Sequence, residues 1–219
     1  MLHFVFDAYG TLFDVHSATA RYQDAIGSNW DRLSQLWRTK HLEYTWIYAL
    51  TGRHTTFWQL AEQSLDYAIA AVGGAPPGLK EKLLAAYRSL AAFPEVPEVL
   101  SALKQKGATL AILTNGDPDM IEEAVASAGL TGLFDAVMTV HEAGVFKPDR
   151  RVYALPSKRF GVLPGQISFQ SSNRWDVAGS KSFGLHSVWI NRSGGPDEYP
   201  GMPADRIIKG LQPLVELVG

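Results

Sequence analysis

The chain has 219 residues, 46% of them hydrophobic and 19% charged, with a formal net charge of −2. That balance allows the core of one large domain, or of a domain with an insertion, and argues against nucleic acid or a membrane surface as the main partner. The absence of cysteine excludes disulfides, thiolate metal sites and a cysteine nucleophile, and with no signal-like start and no apolar run near the ~20 residues that span a bilayer, the expected location is the cytoplasm.

In chain order, His3–Phe6 is an apolar run that reads as a strand, and Asp7 stands where it ends, with Tyr9 and Thr11 following in "FDAYGTLFD". From 15 to 92 no strand pattern appears. "LSQLWRTKHLEYTWIYALTG" carries Leu33, Leu36, Trp37, Lys40 and Tyr44 at helical spacing, "FWQLAEQSLDYAIAAVGG" stops at a double glycine, and "LKEKLLAAYRSLAAF" is a third helix. Pro94 and Pro97 mark the return to alternating elements. A helix over Pro97–Lys106 precedes the strand Thr109–Leu113, which ends in Thr114, Asn115 and Gly116. Asp117 is a plausible N-cap for a helix over Pro118–Ala128. The strand Ala136–Val140 leads to a loop with Lys147, Pro148 and Asp149. Pro156 is expected to kink or interrupt the helix in "RVYALPSKRFG", at about 3 kcal/mol unless accommodated. The strand Ile167–Gln170 ends in Ser171, Ser172 and Asn173, a helix runs from Asp176 to Phe183, and Ser187–Ile190 is a fifth strand. "RSGGPDEYPGMP" reads as a surface loop.

This alternation predicts an α/β, Rossmann-like parallel sheet formed by residues 1–14 and 93–219, with an inserted all-helical cap at 15–92. Ligands of open parallel sheets bind beyond the carboxyl ends of the strands, so the insertion is placed to act as a lid. The strand ends would bring together the Asp7 carboxylate, the Thr114 hydroxyl, the Asn115 amide, the Lys147 ammonium and the Asp176 carboxylate. Such a set suits an aspartate nucleophile, desolvated and aimed, with Lys147 keeping it ionised and Thr114 with backbone N–H groups holding an anion. Each residue alone has an ordinary reading: Asp7 as a turn cap, "TNG" as a turn, Lys147 as a solvated lysine, Asp176 as a helix N-terminal charge. Order and placement carry the signal. The aromatic residues Trp37, Tyr44, Trp46, Tyr48 and Trp58 read as core or interface, and His16 and His41 as structural.

"FDAYGTLFD", "LTNG", "KPD" and "SSNRWD" together resemble the four motifs of the haloacid dehalogenase superfamily, and "LWRTKHLEYTW", "FDVHS" and "KPDRRVY" resemble its L-2-haloacid dehalogenase branch. The phosphatases of that superfamily use an acid two places after the nucleophile and bind Mg²⁺ partly through acids of the last motif. Here those places hold Tyr9, Ser172 and Asn173. A halide needs no proton to leave, and a monocarboxylate needs no metal. The resemblance therefore implies no cofactor, and a 2-haloacid substrate attacked at C2 by Asp7 with inversion. It further implies that Arg38 and Asn115 stabilise the halide beside Phe57, and that Thr114 and backbone N–H groups near Ala8 and Tyr9 hold the substrate carboxylate. Lys147 pairs with Asp7, and Asp176 is base or orienter for the water that attacks the ester. Thr11, Tyr153, Ser171 and Asn173 position these groups, Tyr9, Leu42 and Trp175 shape the pocket, and the chain pairs as a homodimer. The alternatives are a small-molecule phosphatase and an inactive binding protein. Departures from the branch are Thr114 in place of a serine, Thr39 where a longer amide is common, and Pro156.

Overall fold

The structure, a computed structural model, describes residues 2–218. Strands β1 (His3–Phe6), β2 (Thr109–Thr114), β3 (Ala136–Thr139), β4 (Ile167–Ser171), β5 (His186–Ile190) and β6 (Arg206–Ile208) form one sheet in the order β3-β2-β1-β4-β5-β6. Every pair is parallel, and His3 lies opposite Thr109 on one side and Ile167 on the other. Phe4, Val5 and Phe6 have no exposed surface, and β4 is buried throughout. Covering both faces is what makes Phe4–Phe6 of β1 and Leu110–Leu113 of β2 continuous apolar runs, whereas β4 is buried although it carries Ser168, Gln170 and Ser171. The fold is α/β and Rossmann-like. The chain builds outward from β1 to β3, then crosses back to β4, so the crevice of the sheet opens beyond the end of β1.

Helices α1 (Ser17–Ala20), α2 (Gln23–Ile26), α3 (Trp30–Leu50), α4 (Phe57–Ala71) and α5 (Leu79–Arg88) fill the segment between β1 and α6 (Val96–Gln105). They are followed by α7 (Pro118–Ser127), α8 (Arg150–Phe160) and α9 (Arg174–Phe183). On α3 the buried residues are Leu33, Trp37, His41 and Thr45, every fourth position, with Ser34 beside them. Leu36, Lys40 and Tyr44 flank that stripe and are half-buried, so the expected apolar face is rotated by about one position. Trp37 Nε1 donates to the Ala61 carbonyl at 2.9 Å and ties α3 to α4.

Several expectations are corrected. Strand β3 ends at Thr139, where a 3-10 turn takes Val140, and β5 begins one residue early at His186. The helix expected from Asp176 begins at Arg174. Helix α8 runs through Pro156: the ring is buried, and the lost N–H leaves only the Val152 carbonyl without its usual helical donor. Strand β6 was not legible, because Arg206 and Ile207 are exposed and only Ile208 is buried.

The two chain passages that join the helical insertion to the sheet run side by side. Asp14 N–H donates to the Ala91 carbonyl (2.8 Å) and Phe93 N–H to the Leu12 carbonyl (3.0 Å). Arg192, just past β5, clamps the junction: its guanidinium donates to the Thr11 carbonyl at 3.0 Å, pairs with Glu95 and stacks 3.8 Å from the Phe93 ring centroid. A lysine cannot make this planar fork. Arg192→Lys is expected to cost about 1.5–3 kcal/mol of stability, read by urea unfolding; a cost near zero would show that the fork does not hold the junction.

Candidate active site

Beyond β1, residues 8–13 form a tight loop whose Thr11, Leu12 and Phe13 N–H groups all donate to the Ala8 carbonyl. Gly10 sits at φ 95°, a conformation that side chains disfavour. This turn folds Thr11 back onto Asp7, which is 6% exposed. Asp7 Oδ2 accepts from Thr11 Oγ1 (2.9 Å), Asn173 Nδ2 (2.8 Å) and, at a long 3.5 Å, Ser171 Oγ. Asp7 Oδ1 accepts from Lys147 Nζ at 3.1 Å. Lys147 also donates to Asp176 Oδ2 (2.9 Å), and Asp176 Oδ1 accepts from the Tyr153 hydroxyl (2.7 Å).

Burial alone would lower the Lys147 ammonium, but the two carboxylates more than offset it and hold it protonated. Burial pushes the Asp176 carboxyl up, Lys147 opposes that, and the Asp7 charge adds to the rise. Tyr153 is raised well above the ordinary phenol value, first by burial and then by Asp176, so it remains a donor. Lys147 is aimed by its backbone: its N–H donates to Asn115 Oδ1 at 2.9 Å.

The insertion supplies the opposite wall. Arg38 of α3 donates through Nη2 to the Tyr9 carbonyl (2.9 Å) and to Asn173 Oδ1 (3.1 Å), while its Nη1 is buried with no partner among the described residues. Asn173 thus has its amide oxygen turned to Arg38 and its nitrogen to Asp7. Arg38, Leu42, Trp175, Asn173 and Gly10 line one cavity of about 470 Å³. Tyr9 packs its ring at 5.4 Å from Phe57 and flat on Tyr87 at 5.7 Å. Burial raises the Tyr9 phenol well above its ordinary value, so it is a neutral aromatic wall. Thr114, at the end of β2, accepts from the Gly116 N–H at 3.0 Å, which leaves its hydroxyl proton free to donate.

The structure therefore brings all the expected residues to one end of the sheet. Sequence reasoning missed four. Tyr87 is buried at a spacing shared with Leu79, Leu83 and Ala86 on α5, but nothing local tells what it meets. Burial pushes its phenol up to about 12. Gly116 must lack a side chain, because a Cβ would stand 2.7 Å from the Tyr9 ring. Gly179 must also: a Cβ there would come within 2.6 Å of the Tyr153 hydroxyl. Asp117 occupies the N-cap position of α7, as expected, yet its side chain makes no bond to that helix. It accepts instead from the Phe57 and Trp58 N–H groups of α4.

A protein-family profile, haloacid dehalogenase-like hydrolase, matches residues 1–184. The chain belongs to that family. It is 40% identical over 215 residues to (S)-2-haloacid dehalogenase 4A of Burkholderia cepacia, covering 98% of this chain and 93% of that one. A crystal structure of a dehalogenase superposes with a TM-score of 0.96 at 39% identity, covering 99% and 96% of the two chains. The L-2-haloacid dehalogenase of Xanthobacter autotrophicus with chloropropionic acid covalently bound superposes with a TM-score of 0.87 at 36% identity, covering 100% and 98%.

Two outcomes follow from the packing of the site. Gly179→Ala is expected to push Tyr153 off Asp176 and to destabilise the protein by about 1–3 kcal/mol through overpacking; unchanged unfolding would mean that α9 yields at no cost. The second concerns His41, fully buried between Phe57 (ring centroids 4.0 Å) and Tyr87, with Nε2 donating to the Phe57 carbonyl at 3.1 Å. Burial first, and Arg38 second, lower its pKa from 6.5 to about 3. The unfolded chain therefore binds a proton that the folded one refuses. Stability is undiminished above pH ~6.5 and falls as pH drops from there toward ~3, by up to about 1.4 kcal/mol per pH unit. His41→Gln keeps the donor and should flatten that fall, measured as melting temperature between pH 7.5 and 4.5; identical slopes would sink this account.

Proposed function

We propose that the protein hydrolyses L-2-haloalkanoic acids to D-2-hydroxyalkanoic acids with inversion, through an ester on Asp7 and without a metal ion. The observation that carries the reading is the surroundings of Asp7: an ammonium on one oxygen, neutral donors from Thr11, Asn173 and Ser171 on the other, and an aromatic wall where a general acid would stand. Neutral amide and hydroxyl donors suit a carboxylate and are poor company for a divalent cation, which wants several anionic oxygens. The covalently bound chloropropionic acid in the Xanthobacter relative supports a 2-haloacid as substrate.

In this mechanism an Asp7 oxygen attacks C2, the carbon–halogen bond breaks, and the halide leaves with its electron pair toward Arg38 and Asn115, beside Phe57. The free Nη1 of Arg38 is the donor that awaits it. Thr114 and backbone N–H groups around Ala8 and Tyr9 hold the substrate carboxylate, while Leu42 and Trp175 border its alkyl end. Water then adds to the Asp7 carboxyl carbon. One water proton passes to Asp176, whose raised affinity suits a base. The bond from the Asp7 carboxyl carbon to the substrate oxygen then breaks, that oxygen takes the proton back from Asp176 to leave as the hydroxyl, and the second water proton is released from Asp7 to solvent. Lys147, Tyr153, Thr11, Ser171 and Asn173 keep these groups in place. The segment 15–92 serves as the cap over the site.

The same proposal includes a homodimer in the cytoplasm. Ile47 and Leu50 are exposed on α3 (51% and 85%) beside the half-buried Trp46, an apolar edge that a second copy would cover; light scattering tests it, and cell fractionation tests the location. For the chemistry, Asp7→Asn is expected to lower halide release at least about 10³-fold. Chloride from L-2-chloropropionate and not its enantiomer, in excess EDTA, is the wild-type expectation. Phosphate release in Mg²⁺ with no chloride would overturn the reading in favour of a phosphatase.

A further inference from the structure

Asp117 lies two residues beyond Asn115, is 5% exposed, and does not cap the helix it precedes. Its carboxylate reaches into the insertion, where Oδ1 accepts from Phe57 N–H at 3.0 Å and Oδ2 from Trp58 N–H at 2.8 Å. These are the first two N–H groups of α4, donors that no helix can satisfy internally. The third, on Gln59, goes to Thr56 Oγ1 at 3.0 Å in a capping box. So α4 is capped from two sides, once by its own Thr56 and once by the sheet domain. Asp117 Oδ1 also meets His141 Nε2 at 2.8 Å, in the 3-10 turn that follows β3 and leads to Lys147.

One carboxylate thereby joins three pieces of the site: the loop with Asn115, the helix start with Phe57, and the segment before Lys147. The Phe57 ring sits 5.4 Å from Tyr9, 4.0 Å from His41 and 6.4 Å from Phe146. Its backbone has no slack either, since Phe57 N–H is on Asp117 and its carbonyl on His41. Resting on the function proposed above, we infer that Asp117 is a positioning residue whose grip on α4 sets where Phe57 stands relative to Asp7, and with it the leaving-group selectivity. Arg88 of α5 separately pairs with Asp119 and Glu123 on α7, each at 2.6 Å. Loss of the Asp117 contacts therefore loosens Phe57 without unseating the insertion.

The test compares kcat/KM for L-2-chloropropionate and L-2-bromopropionate in the wild type, Asp117→Asn and His141→Ala. Asparagine has the same shape but can accept from only one of the two N–H groups. A poorer leaving group draws more on the halide pocket in the transition state. Asp117→Asn is therefore expected to lower the chloride-to-bromide ratio about tenfold, through kcat more than KM. His141 is half-exposed, so His141→Ala folds even where Asp117→Asn does not, and it should shift the ratio the same way by a smaller factor. Amide hydrogen exchange at 57–60 should accelerate in both variants. A variant that only reduced the folded fraction would lower both substrates equally; an unchanged ratio in an active enzyme overturns the inference. Absence of halide release from the wild type, with exchange at 57–60 still faster in the variants, would instead mark failure of the function itself, and the selectivity role would fall with it.

Discussion

The site is organised around one buried ammonium. Lys147 has no exposed surface and lies between Asp7 and Asp176 at 3.1 and 2.9 Å. Two carboxylates this deep repel one another and would take up a proton, and a lone lysine would lose its own. Placed together, the ammonium and the two carboxylates offset one another, and further donors reach both carboxylates. Thr11 and Asn173 bind Asp7, and Tyr153 binds Asp176. Removing the ammonium would leave uncompensated charge inside the protein, a loss of about 3–5 kcal/mol. The need to reach it explains other local features: Asn115 fixes the Lys147 backbone, and Gly179 clears a path for Tyr153.

The same charges give the proposed reaction its direction. Before attack, negative charge sits on Asp7 against Lys147. After it, Asp7 is a neutral ester and the charge has moved to the halide, on the side of Arg38. Two cations on opposite sides of the transferred charge, both set before the reaction, are a preorganised environment that costs no reorganisation at the moment of bond cleavage. Asn173 links the two ends, since one amide serves Asp7 through its nitrogen and Arg38 through its oxygen.

What the sequence disclosed is what local pattern encodes. Strands β1 and β2 are apolar runs because both faces are covered, and β1, β2 and β4 each end at or beside a residue with a part in the proposed reaction. Lys147 and Asp176 could be placed near Asp7 because parallel strands align their carboxyl ends. Long-range uses of ordinary signals were not legible. Asp117 has the local signature of an N-cap for α7 and spends its side chain on α4, some 60 positions away in sequence. Tyr87 is an unremarkable core residue of α5 until it lies flat on Tyr9. The stripe on α3 was misjudged by one position because Lys40 and Tyr44 can lie on a flank with their polar ends outward, whereas His41, polar in the sequence, is buried. Strand β6 escaped notice because an edge strand with one buried residue carries little apolar signal.

The junction of sheet and insertion constrains how a substrate can enter. Thr11 donates its hydroxyl to Asp7 and gives its carbonyl to Arg192, which also holds Glu95 and Phe93 on the returning passage. Leu12 and Asp14 are bound across to Phe93 and Ala91. A wide hinge rotation at these passages would drag Thr11 and disturb the nucleophile it orients. On the far side, Asp117 and Arg88 fasten α4 and α5 to the loop and helix after β2. With the insertion held at both ends, a small carboxylate has no need of a large opening, because the cavity lined by Gly10, His16, Arg38, Leu42 and Trp175 already leads to Arg38 and Asn173. That cavity is lined by Arg38 and Arg174 and also by Asp14 and Glu198, so an incoming anion passes between charges of both signs, and the guanidinium that reaches Asn173 marks the end of the route next to Asp7.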